Sequence, residues 1–337
     1  MHRLRILALT LVTLVCLGWA LWGMDLVAVG HALGSFRPVM LVPALALSAV
    51  AIMFRAFRFA CLLDAPRRTF ELVSPMQVGF LAISVIPLRM GEFVRPFLLA
   101  ERHGVPFGAG MAAVVLERLL DMSALLLLLT YVAWFVHVPH QITVSGVDLL
   151  VAGQRAMGIG VVVGGVGVAG LAAAGPSGVV LLARVVGAVS PRLAPPVTRL
   201  AGTLVDGLRA LFQRPLAALG AVAGTAGMWF ASIALSVVVM AGFDGLPVGF
   251  DVAAVNNAST VTALALIPTP GFVGAWEAGA YSGLIVYDVD ADVARAFALT
   301  HHAFSFAFNV VVGLAFLARQ GRSLGDLVRA SNERAKE

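Results

Sequence analysis

Two proline-containing interruptions of long hydrophobic stretches constrain the fold of this chain most. The first covers residues 86–92 (IPLRMGE), and the second covers residues 267–277 (IPTPGFVGAWE). Proline removes a backbone donor and glycine loosens the chain, so a helix is expected to break at each place. Broken backbone at membrane depth is tolerated only where protein or a water-filled cavity covers it. Paired interruptions in two halves of a membrane protein therefore indicate a transport site.

The composition indicates a membrane protein. Of 337 residues, 60% are hydrophobic and only 12% are charged, against roughly 25% charged in a soluble domain. The chain has room for about six to eight spans at ~20 residues each. The net charge of +5 comes almost wholly from arginine, since Lys336 is the only lysine. Loop arginines set membrane topology, so we expect no nucleic-acid partner and a multi-pass protein of the cell inner membrane.

The apolar stretches give six predicted spans and two interrupted segments. The spans are 6–23, 39–63, 106–135, 156–174, 216–241 and 294–318, and the interrupted stretches are 74–100 and 252–287. Segment 175–215 carries five arginines, and its leucines recur at helical spacing. That pattern is typical of an amphipathic helix on a membrane surface.

The arginine distribution discriminates between two topologies. If both interrupted stretches enter and leave on one side, the two termini, segment 175–215 and the tail 319–337 are all cytoplasmic. If both stretches cross fully, eight spans result and the arginines of 175–215 lie outside. The charges favour the re-entrant topology. Units 39–135 and 216–318 then have the same order of elements in opposite orientations.

The predicted fold is accordingly all-α: a polytopic membrane protein with about six transmembrane helices and two re-entrant broken-helix hairpins. The two units form an inverted repeat, the architecture of many alternating-access transporters. The whole chain, 1–337, is treated as a single membrane domain.

Three charged residues lie about half way along the predicted span 106–135. Glu117 and Asp121 share one helical face, and Arg118 lies beside them. A charge at the bilayer centre costs at least ~2.5–3.5 kcal/mol on insertion scales. These side chains must therefore face protein or water and are expected to pair with other charged groups.

The residues around the interruptions offer those partners. Arg89 and Arg95 are candidate ion-pair partners of Glu117 and Asp121. The candidate partners of Arg118 are Glu92 and Glu277. Two interpretations stay open: structural ion pairs that fix the hairpins to the spans, or a cationic pocket for an anionic headgroup. The second is favoured because arginine binds phosphate bidentately and a helix start also binds anions. The candidate substrate-binding residues are Arg89, Glu92, Arg95, Glu117, Arg118, Asp121, Pro270, Gly271, Gly274 and Glu277.

Other polar residues are interpreted as structural. Arg55 and Arg58 are taken as anchors that extend their guanidinium groups to the interface. The run 256–260 is expected to fix the backbone of the second hairpin. His301 and His302 are expected to have a packing role rather than to bind metal, although one of them could relay protons. The sequence contains no recognisable catalytic motif, so neither an enzyme nor a cofactor or metal is expected.

Three ordered motifs carry a resemblance to a known family. They are Pro87-x-Arg89-x-Gly91-Glu92-x-x-Arg95, Glu117-Arg118-x-x-Asp121 and Pro270-Gly271-x-x-Gly274-x-x-Glu277. In these the chain resembles the lysylphosphatidylglycerol synthase transmembrane-region family of flippase-like membrane proteins, over about residues 5–320. The resemblance implies a membrane region that moves a charged phospholipid between leaflets, while a separate soluble domain in bifunctional relatives makes the lipid.

The chain also departs from the family pattern. Ser84 stands where the family usually has asparagine, and the last span has histidines where the family usually has arginine. Only a short tail follows the last span, so we expect no soluble aminoacyltransferase domain and no synthase activity. Stand-alone members imply polyprenyl-linked or hopanoid-related lipids as further substrate classes.

The predicted function is thus a flippase for an anionic amphipathic lipid that works by alternating access. The alternatives are an intramembrane enzyme acting on a lipid phosphate and a scaffold. The scaffold would recruit a lipid-synthesising enzyme through segment 175–215.

Overall fold

The computed structural model describes residues 26–63, 69–85, 92–140, 143–144, 147–191, 194–267 and 269–321, and nearly all of them are helical. The helices are α1 (Leu26–Gly34), α2 (Leu41–Leu62), α3 (Thr69–Val85), α4 (Val94–His103), α5 (Phe107–Phe135), α6 (Leu149–Val189), α7 (Ala194–Phe212), α8 (Pro215–Met240), α9 (Phe250–Leu266), α10 (Ala275–Ile285) and α11 (Ala291–Arg319). Short 3-10 turns at Pro38–Met40 and Pro270–Phe272 and a two-residue β-hairpin, Thr143–Val144 with Val147–Asp148, complete the described elements.

The polarity of the helices is that of a membrane protein. Within the described residues, three helices are long and apolar enough to cross a bilayer: Pro38–Leu62, Pro215–Met240 and Ala291–Arg319. Large apolar side chains such as Leu127 and Leu216 are exposed, whereas Arg95 and Glu117 are buried. Apolar groups outside and charged groups inside suit a hydrocarbon solvent. The prediction of an all-α polytopic membrane protein is confirmed.

Helices end at both predicted interruptions. Helix α3 ends at Val85 and α4 begins at Val94, while α9 ends at Leu266 and α10 begins at Ala275. The second interruption contains three residues with left-handed backbone, Gly271 (φ 61°), Phe272 (φ 62°) and Gly274 (φ 82°). Two of these are glycines, which adopt that conformation without a Cβ clash. Helices α3 and α4 therefore flank the first interruption and form the first hairpin, and α9 and α10 flank the second interruption and form the second hairpin.

Two groups of four helices follow one another in the same order with nearly the same lengths. Helices α2, α3, α4 and α5 contain 22, 17, 10 and 29 residues. Helices α8, α9, α10 and α11 contain 26, 17, 11 and 29 residues. In both groups the third helix packs against the fourth, and the second helix packs against the long last helix of the other group.

The first helices of the two groups, α2 and α8, pack closely and run antiparallel. Gly220, Gly224 and Gly227 of α8 face Cys61, Arg58 and Phe54 of α2 in reverse order. A Cβ at Gly224 would lie 2.9 Å from the Arg58 Cβ. Small residues allow this close approach of backbones, as at other membrane helix interfaces.

The middle of the chain differs from the prediction. The predicted span 156–174 is part of α6, which kinks at Gly175 (φ 57°). The predicted single amphipathic segment 175–215 consists of the end of α6 and of α7. The side chain of Arg209 fills the space beside Gly175, because a Cβ there would lie 2.1 Å from its Nη2. The predicted first span 6–23 and most of the tail 319–337 lie outside the described residues.

The hairpin α9–α10 depends on the absence of a side chain at Gly279. A methyl group at this position would come within 2.6 Å of the Thr260 Cα and 2.9 Å of the Ser259 carbonyl oxygen. Gly279→Ala is expected to lower the free energy of unfolding by about 1–3 kcal/mol, because overpacking forces backbone shifts. Thermal unfolding in detergent measures this. Gly202→Ala is the control, because nothing lies within 4 Å of its added Cβ; equal effects of both substitutions would contradict the packing argument.

Candidate functional site

A buried carboxylate between two guanidinium groups forms the centre of the first polar cluster. Glu117 of α5 accepts hydrogen bonds from Arg58 of α2 and from Arg95 of α4, the latter over 2.5 Å from Nη1 to Oε2. Each of the three side chains is at most 1% exposed. Arg95 crosses α3 at Gly79, where a Cβ would overlap its side chain. The cluster thus joins α4 of the first hairpin to α2 and α5.

The cluster continues from Glu117 toward a more exposed edge. Arg58 also donates from Nη1 to Asp121 Oδ1 over 2.5 Å. Arg118 lies 3.1 Å from Glu92 and 3.8 Å from Asp121, and its side chain is 39% exposed. The exposed fraction of the arginines therefore increases from Arg95 and Arg58 at the centre to Arg118 at the rim.

The described part of the cluster has an excess of positive charge. The guanidinium of Arg55 lies 4.5 Å above the Phe80 ring, and no carboxylate pairs with it among the described residues. Arg95 has a buried Nε and Nη2 without a hydrogen-bond partner. Four guanidinium groups face three carboxylates, a net charge of +1: Arg55, Arg58, Arg95 and Arg118 with Glu92, Glu117 and Asp121. An anion would supply both the missing charge and acceptors for the unpaired donors.

A second polar cluster lies at the second interruption. His302 of α11 contacts Glu277 of α10 over 2.6 Å from Nδ1 to Oε1, and its Nε2 lies 3.0 Å from the Gly271 carbonyl oxygen. The other Glu277 oxygen accepts from the Gly274 backbone N–H over 2.7 Å. The Trp276 ring stacks on His302 at 5.0 Å with an interplanar angle of 7°. This cluster holds the loop before α10 against α11.

Buried side chains of α9 hold the same hairpin together. Asn256 donates to the Ala280 carbonyl over 2.7 Å, and Ser259 donates to the Gly279 carbonyl over 2.7 Å. The prediction that residues 256–260 fix the backbone here is confirmed. Within lipid these bonds matter because a carbonyl at a helix crossing has no water to bond.

The two clusters occupy equivalent places in the two groups of helices. Glu117 and Arg118 are the eleventh and twelfth residues of the 29-residue helix α5. His301 and His302 are the eleventh and twelfth residues of the 29-residue helix α11. In each case the twelfth residue pairs with a carboxylate at the interruption, Glu92 for Arg118 and Glu277 for His302.

The second interruption also contacts the first hairpin. Helix α3 packs against the turn Pro270–Phe272. A Cβ at Gly271 would lie 3.6 Å from the carbonyl oxygen of Ser84, near the end of α3. The loop held by His302 is therefore in contact with the first hairpin, and movement of one hairpin would alter the surface that the other packs against.

The structure pairs several of the predicted site residues. Arg95 meets Glu117, and Arg118 meets Glu92 rather than Glu277, both within the alternatives expected from the sequence. Gly271 and Gly274 bond to the His302–Glu277 pair, and Pro270 starts the 3-10 turn. Arg89 lies outside the described residues.

The interpretation of Arg58 as an anchor at the interface is wrong. Its guanidinium is 1% exposed and bonds both Glu117 and Asp121. Arg55 lies over an aromatic ring instead of extending to the interface. The sequence did contain a signal, namely two arginines three residues apart inside an apolar span. The burial of Arg58 could not be predicted from it, because the glycines of α8 that leave room for Arg58 are distant in sequence.

Comparison with known proteins gives a family for this chain. The family model described as the lysylphosphatidylglycerol synthase TM region matches residues 5–313. That range includes both interruptions, all the residues of the two clusters and helices α1 to α10. No curated protein and no solved structure shows a detectable match to the chain.

Removal of the Glu117 charge is expected to destabilise the protein strongly. Glu117→Gln leaves Arg58 and Arg95 buried with too little negative charge, and breaking a buried ion pair costs about 3–5 kcal/mol. Asp244→Asn is the control. The Asp244 side chain is 72% exposed and that of its partner Arg37 is 56% exposed, so this ion pair is worth about 1 kcal/mol or less. Thermal unfolding in detergent compares the two. Similar losses in both variants would show that the central carboxylate does not hold the helices together.

Proposed function

Since the chain belongs to the lysylphosphatidylglycerol synthase transmembrane-region family, a family of membrane proteins related to lipid handling, we propose that it is a flippase. Its substrate is an anionic amphipathic lipid, which it moves between the leaflets of the cell inner membrane by alternating access. The observation that carries this proposal is the buried cluster with a net charge of +1, which extends from Glu117 to the half-exposed Arg118.

Arg118 is the residue through which a headgroup enters the cluster. It is more exposed than the other arginines paired in the cluster, and among the described residues its one carboxylate contact shorter than 3.8 Å is with Glu92. Glu92 lies on the interruption and Arg118 on α5, so an anion that replaces Glu92 loosens the contact between hairpin and span. The bound phosphate then takes part of the role of the carboxylate, which provides a physical link between substrate binding and movement of the first hairpin.

The two groups of helices supply the alternation. Their equal order and nearly equal lengths, together with the antiparallel packing of α2 and α8, support an inverted repeat of the kind that alternates access by rocking. In this arrangement the cluster around Glu117 and the cluster around Glu277 lie toward opposite leaflets. Each hairpin covers one of them, and both termini are cytoplasmic.

An apolar groove provides a place for the lipid tails. It has a volume of about 600 Å³ and lies on α2 and the first residues of α3. Its lining residues are Ala49, Val50, Met53, Phe54, Phe57, Thr69 and Phe70. The groove lies on the helix that also carries Arg55 and Arg58, and in our proposal the lipid tails occupy it. Phospholipids and polyprenyl-phosphate-linked lipids share the phosphate that this site requires, and an anionic hopanoid-related lipid is a third class.

Arg118→Ala is expected to slow leaflet exchange at least about tenfold, the change that a loss of ~1.4 kcal/mol of binding produces. The assay uses purified protein in phosphatidylcholine vesicles with a fluorescent phosphatidylglycerol, and in a second set with a fluorescent polyprenyl phosphate. Quenching by dithionite reports the fraction of probe in the outer leaflet.

Arg37→Ala is the matched control, because Arg37 is an exposed arginine paired with Asp244 outside the cluster. It should retain the exchange rate of the unaltered protein. Unchanged exchange in Arg118→Ala would remove Arg118 from the site. If the unaltered protein exchanges neither probe faster than empty vesicles, the proposed flippase activity is wrong.

A further inference from the structure

The hydrogen bonds of His302 require the second cluster to hold a proton. Its Nε2 faces the Gly271 carbonyl oxygen, which can only accept, so Nε2 must carry hydrogen. Its Nδ1 faces Glu277 Oε1 over 2.6 Å, and one hydrogen must lie between them. Glu277 also accepts from the Gly274 N–H at its other oxygen, which favours the carboxylate, so the pair is an imidazolium beside a carboxylate. It contains one proton more than an ionised glutamate beside a neutral histidine.

That proton fastens both ends of the second interruption. His302 holds the Gly271 carbonyl directly, and Glu277 holds the Gly274 N–H through its second oxygen over 2.7 Å. Gly271 and Gly274 are the two left-handed glycines of the loop. The His302–Glu277 hydrogen bond links these two attachments, so it acts as a latch between the loop, α10 and α11.

Loss of the proton would open the latch. Neutral imidazole has one N–H and one lone pair, so His302 could keep its bond to Gly271 only by turning a lone pair toward the Glu277 carboxylate. Two acceptors at that distance repel. Alternatively, His302 could donate to Glu277 and release the Gly271 carbonyl. Either change frees one end of a loop that contacts α3 near Ser84.

The equivalent pair in the first group of helices lacks this property. Arg118 occupies the same helix position as His302 and pairs with Glu92, but an arginine stays charged at every physiological pH. Histidine is the side chain that ordinarily changes charge between pH 5 and 8. The two hairpins are thus fastened by similar pairs, one permanent and one that depends on a proton.

We propose that the His302–Glu277 pair binds one proton that latches the second hairpin, and that its release permits the movement by which the protein transfers lipid. The protein is then a proton-coupled flippase, with the proton as a second transported or regulatory ligand. The coupling rests on the proposed lipid transfer, whereas the proton site stands on the geometry of the second interruption alone.

The surroundings of the pair contain few other titratable groups. His301 precedes His302 on α11 and lies edge-on to Trp276 at 5.4 Å, with its Nδ1 buried and unpaired. Helix α10 contributes Glu277 itself, and α3 contributes the uncharged Ser84 at the contact with the loop. Among the described residues the proton is consequently assigned to the His302–Glu277 pair.

The first test detects the proton without lipid transfer. Trp276 stacks on His302, and an imidazolium quenches indole fluorescence more than neutral imidazole does. Trp19, Trp22, Trp134 and Trp229 are replaced by phenylalanine, so that Trp276 is the only tryptophan. Its emission in detergent is expected to rise with pH in a single-proton transition between pH 5 and 9. If the fourfold variant folds poorly, the emission of Trp276→Phe is subtracted from that of the unaltered protein at each pH. The difference is expected to show the same transition.

Three histidine variants assign the transition. His302→Gln should abolish it, and His301→Gln should retain it. His140→Gln should also retain it, because His140 pairs with Asp288 at an exposed site over 3.0 Å and serves as the matched control. Emission that stays flat from pH 5 to 9, or a transition that survives His302→Gln, would overturn the proton site.

The second test measures coupling. Leaflet exchange of fluorescent phosphatidylglycerol in phosphatidylcholine vesicles should slow by about tenfold per pH unit below the midpoint, as one bound proton requires. His302→Arg should be slow at every pH, because it imitates the permanent Arg118 pair. His302→Ala should lose the pH dependence. A pH dependence that is unchanged in His302→Ala would overturn the coupling.

The two tests separate the possible failures. If Trp276 titrates with His302 but exchange in the unaltered protein does not vary with pH, the latch does not control transfer and the coupling is wrong. If no lipid exchange occurs at all, the proposed flippase function fails and the coupling fails with it. The fluorescence titration then decides whether the proton site itself exists.

Discussion

The architecture depends on keeping one carboxylate, Glu117, ionised where there is little water. Two guanidinium groups from different helices, Arg58 and Arg95, make this possible by donating to its two oxygens. A single arginine would balance the charge but would leave acceptors unfilled, and an unpaired charge in hydrocarbon is expensive. Because the two donors come from α2 and α4, the requirement to satisfy one side chain fixes the first hairpin between α2 and α5.

Helix packing supplies the geometry that these charges require. Arg58 reaches Glu117 because α8 presents Gly224 to its backbone, and Arg95 passes α3 because Gly79 leaves room for its stem. Lipid gives helices no hydrophobic reason to associate, so close packing at small residues and buried polar contacts must do so. The same glycines that bring α2 and α8 together therefore place the charged groups. Substitution at such a glycine would disturb the electrostatics of the cluster as well as the packing.

Sequence reasoning succeeded where the signal was local. Proline and glycine at 86–92 and 267–277 predicted the helix ends, and Glu92 was one of the two partners expected for Arg118. It failed where the partner is distant in sequence, as for Arg58, whose burial depends on glycines that are more than 150 residues away. It also treated His302 as a packing residue, since no nearby spacing connects it with Glu277. At Gly175 the sequence predicted the end of a helix, whereas the structure has a kink. A glycine before a proline allows a helix to bend as well as to end.

The two similar groups of helices raise the question of how the proposed transport would acquire a direction. If α5 and α11 are related by the repeat, the pairs Glu92–Arg118 and Glu277–His302 perform the same task in opposite leaflets. Two permanent pairs would resist movement equally on both sides, and a gradient could not favour one state. A histidine in place of one arginine lets the proton concentration on one side alter the strength of one pair only. His302, at the helix position where the first group has Arg118, is therefore the place where the symmetry between the two pairs ends, and an energy source can act on such a difference.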